Sequence, residues 1–206
     1  YPLVARPRIQ VPVVLKADQI GAVLGVLIKP ERENLAVDYG DAALAVAAAW
    51  ELISARNGLE PGLVSLDATL VQLHAGPQLQ GRVDGRSHGL GVALRALAAF
   101  TNKQPQRHVI ASAEIGEQGR LVAADAIGPK LQAAVREGWG DQRALVLLAA
   151  NPEPETAHLC KKAGMELHVV KTLEQAAELA LGQGALDSRI APEYLDGGAV
   201  LDRVKQ

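Results

Sequence analysis

The chain of 206 residues contains little cysteine, few aromatic residues and no long apolar run. Its single cysteine, Cys160, excludes an internal disulfide framework and a zinc site built from cysteines, and it fits a reducing compartment. The longest apolar runs, LAVAAAW and ALVLLAA, are far shorter than the roughly 20 residues that span a bilayer. The first residues lack the charged start and apolar stretch of a signal peptide. We therefore expect a cytoplasmic protein without a membrane partner.

The charge balance gives no reason to expect an anionic partner. Lys and Arg total 21 against 23 Asp and Glu, so the formal net charge is -2, and aromatic residues make up only 3%. Proteins that bind nucleic acid usually carry a basic surface and stack bases on aromatic rings. Nucleic acid is therefore not an expected partner. The chain opens at Tyr1 and not at Met, so we also expect a fragment of a longer product or a processed one.

Hydrophobic residues make up 49% of the chain, enough for one good core. Residues 1–19, with three prolines among aliphatic residues, are predicted to be an extended arm. Residues 20–181 are predicted to form the folded domain, and residues 182–206 form a tail without clear periodicity. The alternation of strands and helices at the end of the domain suggests parallel crossovers, whereas its middle looks antiparallel. The predicted fold class is therefore α+β, with a mixed sheet.

Ser87 stands out among the serines because of its surroundings. A serine at the start of a helix is usually only a cap. Ser87 lies in the segment DGRSHG, with Asp84 three residues upstream and glycines on both sides that let a substrate approach the backbone closely. The helix GLGVALRALAAF follows, so the Ser87 hydroxyl is predicted to lie at its positive end, where backbone N–H groups stabilise an oxyanion. These features suit a nucleophile.

A nucleophilic serine needs a base, and Lys130 is the best candidate. His88 is poorly placed, because successive helical residues point about 100° apart. Lys130 lies at the opening of the helix IGPKLQAAVREG, where the helix dipole disfavours an ammonium. A base of this kind needs a pKa near 7 or 8 instead of about 10.4, which corresponds to about 3 to 5 kcal/mol. Burial would have to provide most of the free energy that lowers the pKa. Taken alone, Lys130 also fits a solvated surface lysine.

The segments DGRSHGLGVALRALAAFT and ASAEIGEQGRLVAADAIGPKLQAAVREG together resemble the proteolytic domain of Lon-type serine proteases. In that family a DG-x-S-x-G segment precedes the nucleophile helix, and a later helix start carries the catalytic lysine. The interval of 43 residues between Ser87 and Lys130 matches the family without a gap. Ser112, Glu114 and Asp84 also fall at positions that the family occupies with a hydroxyl residue, a glutamate and an aspartate. The similarity covers about residues 20–181.

The resemblance implies a Lon proteolytic domain fold, similar to ribosomal protein S5-type domains, and a Ser-Lys dyad that hydrolyses unfolded or flexible polypeptides. Ser87 would attack the carbonyl, Lys130 would take and return the proton, Ser112 would hold the lysine, and Glu114 would order the surrounding loops. It also implies a homo-oligomer, a hexameric ring. The phosphate-binding pattern GxxxxGK[ST] is absent, so no cofactor is expected in this chain. ATP and Mg²⁺ would act only through an AAA+ ATPase domain on the same or a partner chain.

The chain departs from the family around both catalytic positions. Arg86 and His88 replace a proline and a small alanine, and the histidine ring could crowd the substrate groove. Paired glycines ahead of the lysine are replaced by Asp125 and Ala126. A carboxylate near Lys130 would favour the ammonium and suppress its role as a base.

Two other functions stay open on the sequence. The first is a catalytically silent Lon-like domain that serves as an oligomerisation scaffold for an AAA+ motor or a DNA-handling machine. The second, which the acidic charge balance disfavours, is an RNA-contacting domain of the ribosomal protein S5 type.

Overall fold

A computed structural model describes residues 8–15, 20–30, 40–59, 66–72 and 86–195 of the chain. Within these ranges the strands are β1 Ile9–Leu15, β2 Ile20–Pro30, β3 Leu66–Gln72, β4 Val109–Ser112, β5 Glu114–Ile115, β6 Leu121–Val122, β7 Leu145–Leu148 and β8 Glu166–Val169. The helices of the same ranges are α1 Gly40–Arg56, α2 Gly89–Phe100, α3 Ile127–Arg136, α4 Pro154–Lys162, α5 Leu173–Leu181 and α6 Pro192–Leu195.

The main sheet has six strands in the order β3-β2-β1-β4-β7-β8. Strands β1, β4, β7 and β8 run parallel to one another, and β2 and β3 are antiparallel to their neighbours. The mixed sheet predicted from the sequence is therefore confirmed. Helices α3 and α4 connect the parallel strands β4, β7 and β8, as the alternating pattern at the end of the domain predicted.

Strand β1 lies inside the main sheet, between β2 and β4. Its residues belong to the segment that the sequence assigned to an extended arm, residues 1–19. The side chains of Ile9, Val11 and Val13 are at most 2% exposed, so over these residues the segment forms part of the core. Pro12 is tolerated because β1 pairs with β4 only at Ile9 and Gln10, so the chain needs no donor at Pro12 on that side.

Side chains alternate between the two faces of the parallel strands. In β4, Val109 and Ala111 join the cluster that α1, α2 and α5 cover, while Ile110 joins the cluster that α3 and α4 cover. In β7, Leu145 and Leu147 face the first cluster, and Val146 and Leu148 face the second. The domain is thus a sheet between two layers of helices, and α2 and α3 lie on opposite faces of it.

Most predicted elements have a counterpart. The dipeptide Asn57-Gly58 is typical of a helix stop, and α1 ends at Arg56 with Gly58 following at a φ of 65°. The segments HVIASAEIG and GRLVAA have the pattern of a hairpin around Glu117–Gly119. That hairpin is present but short, because β5 pairs only with β6 while the preceding β4 belongs to the main sheet. The segment NLAVDYG has the pattern of a strand, but only its Gly40 is described, as the first residue of α1. The segment GPQLQGRVDGRS has the pattern of a loop, and only its last two residues, Arg86 and Ser87, are described.

Part of the segment that the sequence predicted to be a tail, residues 182–206, packs onto the core. Leu186 and Ile190 are at most 4% exposed, and the N–H of Ala191 donates to the carbonyl of Phe100. The Phe100 ring meets the rings of Trp50 and Tyr194 edge to face, with centroids 5.2 and 5.1 Å apart. In the part of the chain that is described, no helix has both the length and the apolarity required to cross a bilayer.

Candidate active site

Ser87 lies in a tight turn directly before α2. The N–H of Gly89 donates to the carbonyl of Arg86 at 2.9 Å, and the N–H of Val92 donates to the carbonyl of His88 at 3.1 Å, so the helix begins just after the serine as predicted. Ser87 is half-buried. His88 is 7% exposed and has helical backbone angles, so its ring is held within the fold. Asp84 lies outside the described residues.

Two glycines allow the start of α2 to pack closely against the sheet. A Cβ at Gly89 would lie 3.4 Å from the backbone nitrogen of Ile115, and a Cβ at Gly91 would lie only 2.2 Å from Cγ1 of Val11. The N–H of Leu90 donates to the carbonyl of Ala113 at 3.0 Å. Because the N–H groups of Gly89 and Leu90 already have partners, an oxyanion would need the backbone donors of the Ser87 turn itself.

Ser112 links this turn to the other half of the site. It is the last residue of β4, is fully buried, and its hydroxyl is 3.5 Å from the carbonyl oxygen of Ser87. Ser112 also lines a pocket with the loop before α3 and the first turn of that helix, residues 123–129, which we call the lysine loop. Ser112 therefore contacts the Ser87 turn and also shares a pocket with the lysine loop.

Lys130 is buried in the first turn of α3, with 4% of its surface exposed. Its ammonium nitrogen donates to the carbonyl of Asp125 at 2.8 Å. Burial lowers the pKa of Lys130, because water no longer stabilises the charged form, and this is the largest influence. The nearby charges of Asp125 and Glu114 act in the opposite direction and raise the pKa. The net shift is toward the neutral amine that a base requires.

No hydrogen bond joins Ser87 to Lys130 among the described residues, since the amine of Lys130 is directed to the carbonyl of Asp125. Catalytic hydrogen bonds are often long or misaligned in the absence of substrate and tighten only when it binds. Lysine has a flexible four-carbon stem, so a rotation of its outer bonds moves the amine without moving α3. The direct contact between hydroxyl and amine remains a prediction.

The residue before α3 has a strained backbone. Ala126 has φ 53° and ψ 39°, the left-handed region that an alanine rarely adopts. This is one of the two positions at which the sequence resemblance aligns glycines of Lon-type proteases. The bend at Ala126 orients the preceding carbonyl of Asp125 toward the amine of Lys130. Ala126 thus adopts a backbone conformation that a glycine would adopt without strain.

The other histidines lie away from this site or outside the described residues. His108 precedes β4 at the opposite end of the strand from Ser112, with its ring centroid 5.2 Å from that of Trp139. His168 pairs with Glu166 on the edge strand β8, and His74 is not among the described residues. The described part of the chain contains no group of three or more His, Cys, Asp or Glu side chains that could hold a metal ion.

Sequence reasoning missed the loop after β7. Residues 149–153 form the second wall of the pocket beside Ser112, and they include Asn151 and Glu153. The available signal was topological, because the carboxyl ends of neighbouring parallel strands meet at one edge of a sheet, and ligands usually bind there. Once β4 and β7 are read as adjacent parallel strands, the loops that follow both become candidates.

A scan against protein-family models and a search of curated proteins found no match to this chain.

Proposed function

We propose that this chain is a peptidase of the Lon type, in which Ser87 is the nucleophile and Lys130 is the general base. The observation that carries the proposal is the burial of Lys130, with a lowered pKa, in the first turn of α3. The residues before Lys130 line a pocket together with Ser112, whose hydroxyl contacts the Ser87 turn. A lysine that merely served solubility would be exposed and charged. Dyad chemistry needs a lysine that is buried and neutral, within reach of a serine.

In the proposed reaction, neutral Lys130 takes the proton of the Ser87 hydroxyl as that oxygen attacks the scissile carbonyl. The protonated lysine then delivers the proton to the leaving amine, and a second cycle with water releases the acyl group. The Ser112 hydroxyl, 3.5 Å from the carbonyl of Ser87, is proposed to hold the lysine by a hydrogen bond once the amine turns away from Asp125. Glu114 stabilises the ammonium that forms after proton transfer, because its charge favours that form.

The proposed substrate is unfolded or flexible polypeptide, and the proposed assembly is a homo-oligomeric ring, as in proteases of the Lon type. The chain carries no phosphate-binding motif, so unfolding of stable substrates would need an ATPase domain from the same or a partner chain.

Hydrolysis of a fluorescently labelled unfolded protein tests the proposal. We expect turnover by the wild type and a loss of at least about 100-fold in both Ser87→Ala and Lys130→Ala, because general-base catalysis contributes about 10²- to 10⁴-fold. Ser188→Ala and Lys161→Ala are matched controls, since these residues lie outside the site and should leave the rate unchanged. Circular dichroism of each variant separates loss of chemistry from loss of fold.

One observation favours a second function, a catalytically silent scaffold. The amine of Lys130 donates to the carbonyl of Asp125, and the Asp125 charge favours the ammonium. If that contact persists in every assembly state, the lysine never reaches Ser87. The scaffold then predicts stable oligomers with no hydrolysis in either the wild type or the Asp125→Asn variant, whereas the peptidase predicts turnover.

A further inference from the structure

A pocket lies beside Ser112, the residue whose hydroxyl contacts the Ser87 turn. It encloses about 470 Å³ between the loop before α3 and the loop after β7, within the range of pockets that hold a small ligand or a large side chain. Ser112 forms part of its wall and is also the residue whose hydroxyl lies 3.5 Å from the carbonyl of Ser87. A polypeptide bound across Ser87 therefore has a side-chain-sized cavity close to the scissile bond.

The lining of this pocket is mixed, with aliphatic residues, two carboxylates and the polar side chains of Ser112 and Asn151. Ala123, Ile127, Leu148 and Pro152 represent the apolar part, and Asp125 and Glu153, both exposed, are the charged residues in the lining. No lysine or arginine belongs to it. Two lysine amines donate to backbone carbonyls of lining residues: Lys130 to Asp125 at 2.8 Å and Lys171 to Ala149 at 2.9 Å. Burial lowers the pKa of Lys130, so its amine repels a bound cation less than a fully charged ammonium would.

This combination suits one kind of side chain. Lysine and arginine have an apolar stem that packs against aliphatic walls and a charged end that pairs with carboxylates. An acidic side chain would meet two like charges, and a purely apolar one would form no ion pair with them. The starts of α3 and α4 near the pocket carry positive dipole ends, but Asp125 and Glu153 already compensate them.

We infer that this pocket is the specificity pocket of the proposed peptidase, and that it accepts a basic side chain within two residues of the scissile bond. The inference rests on the proposed function for its catalytic meaning, but binding of the cation depends only on the pocket. Asp125 and Glu153 are assigned as the residues that recognise the charge.

Two measurements test the inference separately from catalysis. In the first, the chain is titrated with Nα-acetyl-arginine amide while amide chemical shifts are recorded by NMR. We expect saturable shifts at residues 123–129 and 149–153, with an affinity about two- to fivefold weaker in Glu153→Gln, the range of one exposed ion pair. Glu155→Gln is the matched control, because Glu155 is exposed on the same helix start but does not line the pocket.

The neutral isostere Nα-acetyl-citrulline amide and the acidic Nα-acetyl-glutamate amide complete that titration. Equal shifts with citrulline, stronger shifts with glutamate, or no shifts at these residues with arginine would each overturn the assignment of a cation pocket.

In the second measurement, cleavage sites in an unfolded protein are identified by mass spectrometry. We expect Lys and Arg to be enriched at one position within two residues of the cut, and the enrichment to fall in Glu153→Gln but not in Glu155→Gln. Cleavage without such enrichment overturns the inference and leaves the peptidase intact. Arginine binding without any cleavage contradicts the proposed peptidase and leaves the cation pocket in place.

Discussion

Burial lowers the pKa of Lys130, and the charges of Asp125 and Glu114 raise it; burial has the larger effect. Because its folded pKa lies below the ordinary lysine value of 10.5, the unfolded chain binds more protons than the folded chain between these two pKa values. The free energy of unfolding of the wild type therefore rises with pH across that window. At lower pH both states carry the charge, and the folded protein bears the full cost of burying it.

The variant Lys130→Met removes this cost. We expect it to be more stable than the wild type below the depressed pKa, and the difference to shrink as pH rises toward 10.5. Urea unfolding at a series of pH values measures both curves. Parallel curves for the two proteins over the whole range would mean that Lys130 is not buried in its charged form, and Lys161→Met, at an exposed position, provides the reference.

Ala126 is the second residue whose conformation has a measurable consequence. A left-handed alanine costs about 1 to 2 kcal/mol, and glycine adds about 0.4 to 1 kcal/mol of entropy to the unfolded chain. We expect Ala126→Gly to stabilise the protein by about 0.5 to 1 kcal/mol in denaturant unfolding. Ala123→Gly, in the same loop and also exposed, has no positive φ and should destabilise it. Equal losses in both variants would argue against strain at Ala126.

Close backbone contact between elements is seen where the turn after α3 meets the turn between α4 and β8. A Cβ at Gly140 would lie 2.0 Å from the carbonyl oxygen of Ala163, and 2.9 Å from the carbonyl carbon. We expect Gly140→Ala to lower the free energy of unfolding by about 1 to 3 kcal/mol, because backbone atoms must shift. A thermal melt of Gly128→Ala is the control, since its Cβ would lie 3.5 Å from the Thr156 hydroxyl, an ordinary contact. Equal melting temperatures for Gly140→Ala and Gly128→Ala would show that the two turns shift without a measurable cost in stability.

How well the sequence predicts a helix or strand depends on how far apart in the chain the residues that stabilise it lie. Helices α1, α2 and α5 follow from the local spacing of alanine and leucine, which is visible in the sequence itself. The position of β1 inside the sheet depends on pairing with β4, about 100 residues later, and no local pattern carries that information. The same holds for the pocket wall at Asn151 and Glu153, which becomes visible only when β4 and β7 are known to be adjacent.

At the scale of the whole molecule, the sheet brings two distant helix starts to one edge. Helices α2 and α3 lie on opposite faces, and the end of β4 at Ser112 lies between the Ser87 turn and the lysine loop. The sequence predicted Ser87, Lys130, Ser112 and Glu114 as one site. The contact between Ser112 and Ser87 joins residues that are distant in the sequence, so only the fold reveals it. The partner of Lys130 is the backbone carbonyl of Asp125, which residue types do not reveal.

The most direct test of the dyad is the rate at which a fluorophosphonate probe modifies Ser87, measured by mass spectrometry as a function of pH. We predict that modification at Ser87 accelerates as pH rises through the lowered pKa of Lys130, and that it is lost in Lys130→Ala. Modification of Ser87 at the same rate and with the same pH dependence in Lys130→Ala would contradict it, as would an unreactive Ser87 in every oligomeric state of the wild type.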